Sequence, residues 1–153
     1  MKRIEVKLSL GVVAPLLDVI KAVEISLEDD LAAALPIEQV DVDLREAWRS
    51  ELVAEQNGGV AQLLALFDSD FFASGTVAFD EENADSILKA CAAVRLRLRD
   101  RFLGEISDDM LEHGNVEMEE LSDDDRKPFM CYLFLATVQE LIIEHLESSV
   151  LDS

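Results

Sequence analysis

The sequence predicts a mainly α-helical single domain, an orthogonal bundle of about five to seven helices with at most a small two-stranded sheet. Three observations predict it. The stretch from Phe79 to Gly104 is strongly amphipathic at helical spacing. The stretch from Phe129 to Ile143 is apolar nearly all round, as expected of a helix buried by several neighbours. Only two short segments, around Ile4–Leu8 and Thr76–Phe79, alternate or run as strands do. A chain of 153 residues, half of them hydrophobic, suits one domain with a real core and excludes general disorder.

Ile4, Val6 and Leu8 alternate with charged residues and predict the first strand. Ser9 is placed to cap a helix from about Leu10 or Gly11 to Ile25, with Leu16, Leu17, Ile20, Val23 and Leu27 inward. Pro15 argues for a later start, because proline is best tolerated in a first turn. A short helix is expected from Ser26 to Leu35, ended by Pro36. Asp43 and Glu46 form a near capping box, opening a helix to about Gln56 with Trp48 and Leu52 inward. Asn57-Gly58-Gly59 reads as a break, after which Val60–Phe67 resumes as a separate helical segment.

Asp68–Gly75 reads as a loop, and Thr76–Phe79 as a second strand. The two strand–cap–helix units echo each other weakly, so their strands are expected to pair. In the central helix, Asp80 is the expected cap and Gly104 the expected left-handed stop. Ala84, Ile87, Leu88, Cys91, Val94, Leu98 and Phe102 share its apolar face. Ser107–His113 is expected as a short helix, 115–125 as an acidic loop, and 149–153 as a flexible tail. The last helix is expected from Asp124 or Asp125 to about Ser148, packed on the central one, with Pro128 in its first turn.

Charge narrows the function classes. The chain holds 33 acidic and 13 basic residues, a net charge of −20. Nucleic-acid binding and docking on anionic lipid both need basic patches, so neither is expected. A solubilising surface is the simplest meaning of the acid, and a basic partner or divalent cations are the alternatives. Cys91 and Cys131 fall in apolar helical patterns and read as reduced core residues, not a disulfide or metal site. No cleavable leader is recognisable and the longest uninterrupted apolar run is short for a membrane span, so a cytoplasmic protein is expected.

Few residues offer chemistry. Arg95 falls within the apolar stripe of the central helix, with Arg99 one turn on. Two readings are open: a structural arginine paired with a carboxylate of a neighbouring helix, or a clamp for a ligand carboxylate or phosphate. His145 is a candidate ligand-binding residue with Glu144 or Glu140, but Ile142 occupies the position where a di-iron bundle places its glutamate. His113 sits beside an expected C-cap glycine, where histidine helps end a helix. Asp68-Ser69-Asp70 starts like a calcium loop, but the later ligands do not follow in register. Phe71 and Phe72 are either core or an apolar patch for a partner. No catalytic residue, metal site or cofactor is assigned.

The second half resembles a bacterial family catalogued as domain of unknown function 2017. The likeness lies in GTVAFDEENADSILKACAAVRLRLRDRF and in CYLFLATVQELIIEHL, and it extends over most of the chain. Arg95-Leu96-Arg97-Leu98 is similar to the family's R-L-x-L-G, with Arg99 in place of the glycine. The resemblance implies no established activity. Its genes often lie near the adaptor of the Clp protease, which implies an association with protein turnover. The leading expectation is therefore a non-enzymatic interaction or regulatory module with a protein partner. The alternatives are an anion binder or enzyme built on Arg95, and a self-associating structural protein, for which a homodimer is one form.

Overall fold

Residues 3–32, 41–104, 106 and 121–147 are described by the computed structural model. The first strand, β1 (Arg3–Lys7), pairs antiparallel with β2 (Thr76–Asp80), in the register Arg3 to Asp80 and Val6 to Val77. The alternation works as the sequence implies: Val77 and Phe79 are buried under the sheet, with Ile4 and Val6 half-buried beside them. Leu8 N–H extends the pairing by donating to the Gly75 carbonyl at 2.7 Å. Gly75 has φ of 76°, and a Cβ there would lie 3.0 Å from the Leu8 carbonyl, so both backbone hand and space require glycine.

Helix α1 (Leu10–Ser26) begins at Ser9 and runs through Pro15. The later start that Pro15 argued for is therefore not adopted. Proline removes one hydrogen bond, and the carbonyl that loses its partner belongs to Gly11, in an exposed turn where water can replace it. The last long helix, α5 (Asp123–Ile142), repeats this: its cap position is Ser122, and Pro128 lies in the second turn, with exposed Asp124 four residues before it.

Helix α2 (Val42–Ala65) is one continuous helix, not two. Its cap is Asp41, whose side chain accepts from Asp43 N–H at 2.9 Å, two residues before the expected start. The predicted break at Asn57-Gly58-Gly59 fails because tertiary packing uses those residues. A Cβ on Gly59 would lie 3.3 Å from the Ser86 carbonyl and 3.6 Å from the Ala90 Cβ. Glycine thus lets α2 approach α4 (Ala84–Phe102) closely, which outweighs its poor helix propensity. Trp48, expected inward, is 44% exposed.

A six-residue helix, α3 (Ser69–Ser74), replaces the expected loop, with the Asp68 carboxylate accepting from Asp70 and Phe71 N–H. Before α4, Asp80 accepts from Glu82 and Asn83 N–H while Asn83 accepts from Asp80 N–H. This reciprocal turn moves the helix start from Asp80 to Ala84. Gly104 is not left-handed; Leu103 ends the helix, donating to the Arg99 carbonyl at 3.2 Å. Ser26–Ala32 contains turns and no separate helix. Among the described residues there are thus four long helices, α3 and a π-helical turn at Ile143–Glu147, so the expected five to seven helices are not confirmed. The helix expected at 107–113 with His113, residues 115–120 of the acidic loop, and the tail lie outside the described residues.

α4 and α5 form the main packed pair, as expected, with α2 against α4 and α1 against α5. Ile87, Cys91, Val94, Leu98, Phe129, Leu135 and Ile142 are sealed between them. The buried side of α4 also includes Ala90 and Arg97, and leaves Phe102 42% exposed. That rotates the inward face from the expected one, because α4 is covered by α2 on one flank and α5 on the other. By length and composition Asp123–Leu146, with a mean hydropathy of 1.4 over 18 of its residues, is long and apolar enough to cross a membrane, although its longest uninterrupted apolar run is short. A core helix passes the same test, and here Phe129, Tyr132, Leu135 and Val138 are buried within the domain.

The two α2 glycines should separate under mutation. Gly58 has open space where a Cβ would go, so Gly58→Ala is expected to stabilise the chain by about 0.5–1 kcal/mol. Gly59→Ala should gain less or lose stability, because its methyl meets the α4 backbone. Urea denaturation of both variants checks the close approach of α2 to α4 at Gly59; equal gains would contradict it.

Candidate functional site

Arg95 does not meet a carboxylate among its described contacts. Its Nη1 donates to Gln139 Oε1 at 2.7 Å, and its guanidinium lies 4.3 Å from the centre of the Tyr132 ring. Gln139 in turn donates from Nε2 to the Leu88 carbonyl at 3.1 Å. Both partners belong to α5, so Arg95 ties α4 to α5 through a neutral amide and a π-face, at half burial. The carboxylate pair expected for a structural arginine is replaced by this arrangement. Arg95 Nε is buried and without a hydrogen-bond partner. Arg99 is half-buried one turn on, and His145 is exposed in the π-helical turn. No hydrogen bond or ion pair among the described residues joins His145 to Arg95.

The buried arginine is Arg97, 9% exposed, which sequence reasoning passed over. Its Nη2 bonds Asp30 Oδ2 at 2.7 Å and reaches the Leu31 carbonyl at 3.5 Å. Asp30 follows α1, and α2 holds the same segment from the other side. Gln56 Nε2 donates to the Asp30 carbonyl at 2.8 Å, while its Oε1 accepts from Ala32 N–H at 3.0 Å. Asn57 Nδ2 donates to the Glu28 carbonyl at 2.8 Å, and Arg49 to the Asp29 carbonyl at 2.8 Å. The hydrogen bond from Arg97 chiefly holds the Asp30 carboxyl below its ordinary value of 3.8. The signal available in sequence was the i, i+4, i+7, i+11 line of Ser86, Ala90, Ala93 and Arg97, a second flank of α4.

That pinned segment forms one wall of a groove. Between α2 and α4 lies an open, mostly apolar groove of about 510 Å³. Leu31 and Ala32 wall it, α2 contributes Leu52 and Gly59, and α4 contributes Ala93 and Leu96. Lys89 stands on its edge between Glu55 at 3.7 Å and Asp85 at 3.1 Å, one cation against two acids. One and two turns before Leu52 on α2, Trp48 and Leu44 are 44% and 61% exposed. They extend the apolar surface beyond the groove. A second cleft of about 450 Å³ lies where α1, the end of α4 and the start of α5 meet, with Asp18, Arg101, Asp123 and Lys127 on it. Arg95 is not among the described residues lining either space.

The two candidate partner phenylalanines divide. Phe71 is fully buried, edge-on to Phe67 at 5.1 Å, so it is core and not a contact surface. Phe72 is 50% exposed. Cys91 and Cys131 are free, buried thiols, both pushed up to about 12 by burial, and so stay protonated at neutral pH. Among the described residues no three His, Cys, Asp or Glu side chains converge as metal ligands do.

Fold and site together define an acidic helical domain with a groove between two helices. The chain belongs to the family described as Domain of unknown function (DUF2017), whose model matches residues 17–146. No curated protein and no solved structure matches it.

The Arg97–Asp30 contact makes a pH prediction. A depressed carboxyl contributes stability above its unfolded value, and that stability is lost as pH falls through the folded value. Asp30→Asn should therefore cost stability at pH 7, with a cost that shrinks below about pH 4. Arg97→Met should cost about 1–2 kcal/mol at pH 7, in the lower range for a charged hydrogen bond because Asp30 is half exposed. Denaturation curves at the two pH values, with the double variant, measure the coupling directly.

Proposed function

We propose that this protein is a non-enzymatic interaction module that recognises a protein partner through its surface. The observation that carries this is the open apolar groove between α2 and α4, continued by exposed Trp48 and Leu44, on a chain of net charge −20. Large exposed apolar side chains bordering a groove mark contact surfaces more often than solvated ones. The acidic balance favours a basic partner and speeds its encounter. An association with protein turnover, which the family resemblance implies, is compatible with a surface of this kind. The anion-binding reading of Arg95 is weaker, since Gln139 takes its Nη1 and Tyr132 covers one face of its guanidinium.

A photo-reactive residue in place of Trp48 tests the reading in the cells that make the protein. Adducts to a defined protein are expected from position 48 and not from Phe102, on the second cleft. Adducts at neither position would overturn the reading. Arg95→Met is expected to lower thermal stability by roughly 1 kcal/mol, the loss of a charged hydrogen bond and a cation–π contact, and to leave those adducts unchanged.

A further inference from the structure

Resting on the interaction reading above, we propose that the α2–α4 groove takes one class of occupant: a basic amphipathic helix. Three features select it. The first is shape. The groove follows two helices, and the α4 residues from Ser86 to Leu96 that line it extend about 15 Å along the axis, close to three helical turns. A third helix laid there presents apolar residues at i, i+3, i+4 and i+7 to a continuous apolar floor.

The second is the anchor surface. Leu44, Trp48 and Leu52 recur every fourth residue on α2, and across the groove Leu96 is 39% exposed. These large side chains are placed to grip a helix from both sides. A compact small molecule filling the groove alone leaves Leu44 and Trp48 uncovered.

The third is charge. Glu55 and Asp85 line the groove and are exposed, and Lys89 is the one cation among its described lining residues, shared by both. Farther along α2 stand exposed Glu46 and Glu51 with Arg45 and Arg49, the last engaging Asp30 at 3.4 Å. The acidic edge of the groove, on a chain of net charge −20, therefore complements lysine and arginine on the outer face of an incoming helix. A second copy of this chain is the other helical candidate, but it brings its own charge of −20 to the same place. The two occupants have opposite salt dependence: screening weakens a basic helix and strengthens a self-contact.

Trp48 is the chain's one tryptophan, one turn from Leu52 of the groove, and reports on an occupant that covers both. The probe is a synthetic leucine–lysine helix of about 16 residues, free of Trp and Tyr, with leucines at i, i+3, i+4 and i+7. On titration into the full chain, Trp48 emission is expected to shift to the blue, with saturation. Affinity should fall at least tenfold between about 50 and 300 mM salt. Ala92→Glu and Leu96→Glu change exposed groove positions and should each weaken binding at least tenfold with unchanged helical circular dichroism. A glutamate-faced peptide with the same leucines should not bind.

Binding that neither variant weakens, with Trp48 emission unmoved, would overturn the groove while leaving a partner elsewhere on the acidic surface. Absence of binding at any salt would overturn the basic-helix occupant, and position-48 adducts would then still stand for a different partner. Self-association that rises with salt and is lost in Ala92→Glu would assign the groove to a second copy and overturn the proposal.

Discussion

Arg97 is the residue on which the arrangement of the helices depends. A guanidinium is costly to bury, and here it is covered almost completely with its carboxylate partner at 2.7 Å. Asp30 can reach it only if the chain after α1 lies across the flank of α4. Once there, the backbone from Glu28 to Ala32 has its polar groups met by Arg49, Gln56 and Asn57 of α2. The charged pair and these hydrogen bonds together tie α1, α2 and α4 at one junction. They also hold Leu31 and Ala32 as the wall of the groove, so the candidate surface exists because an arginine is buried beneath it.

The same junction explains what was legible in the sequence and what was not. The two strands and their pairing, the central and last helices, their mutual packing and the reduced cysteines all follow from local periodicity. These elements bury one face, or all faces, and leave a clear pattern. α2 was not legible, because Asn57-Gly58-Gly59 carries the local chemistry of a turn. Its actual use is tertiary: Asn57 reaches the α1 connection and Gly59 admits the α4 backbone. The face of α4 was misplaced for the same reason. A helix covered on two flanks has two apolar lines, and a single-face reading averages them, bringing Arg95 to notice and hiding Arg97.

The candidate site was legible only in outline. Acid excess and the spare phenylalanines pointed to a partner surface, but the phenylalanines divide between core and solvent. The groove is built from residues with no individual signature, such as Ala93 and Leu52, and is continued by Trp48, which the helical pattern placed inside. Such a surface is defined by how two helices meet, a relation that spacing within either one does not contain.

The two-stranded sheet has a consequence for how the chain is made. β1 finds its partner about 70 residues later in the sequence, with α1, α2 and α3 between them. During synthesis β1 therefore leaves the ribosome as an unpaired edge and stays one until Thr76–Asp80 has emerged. Its alternation of Arg3, Glu5 and Lys7 with two apolar residues suits that interval, since charged edges resist pairing with other nascent chains. The strand's composition is thus matched to the delay before its partner arrives as well as to the folded sheet.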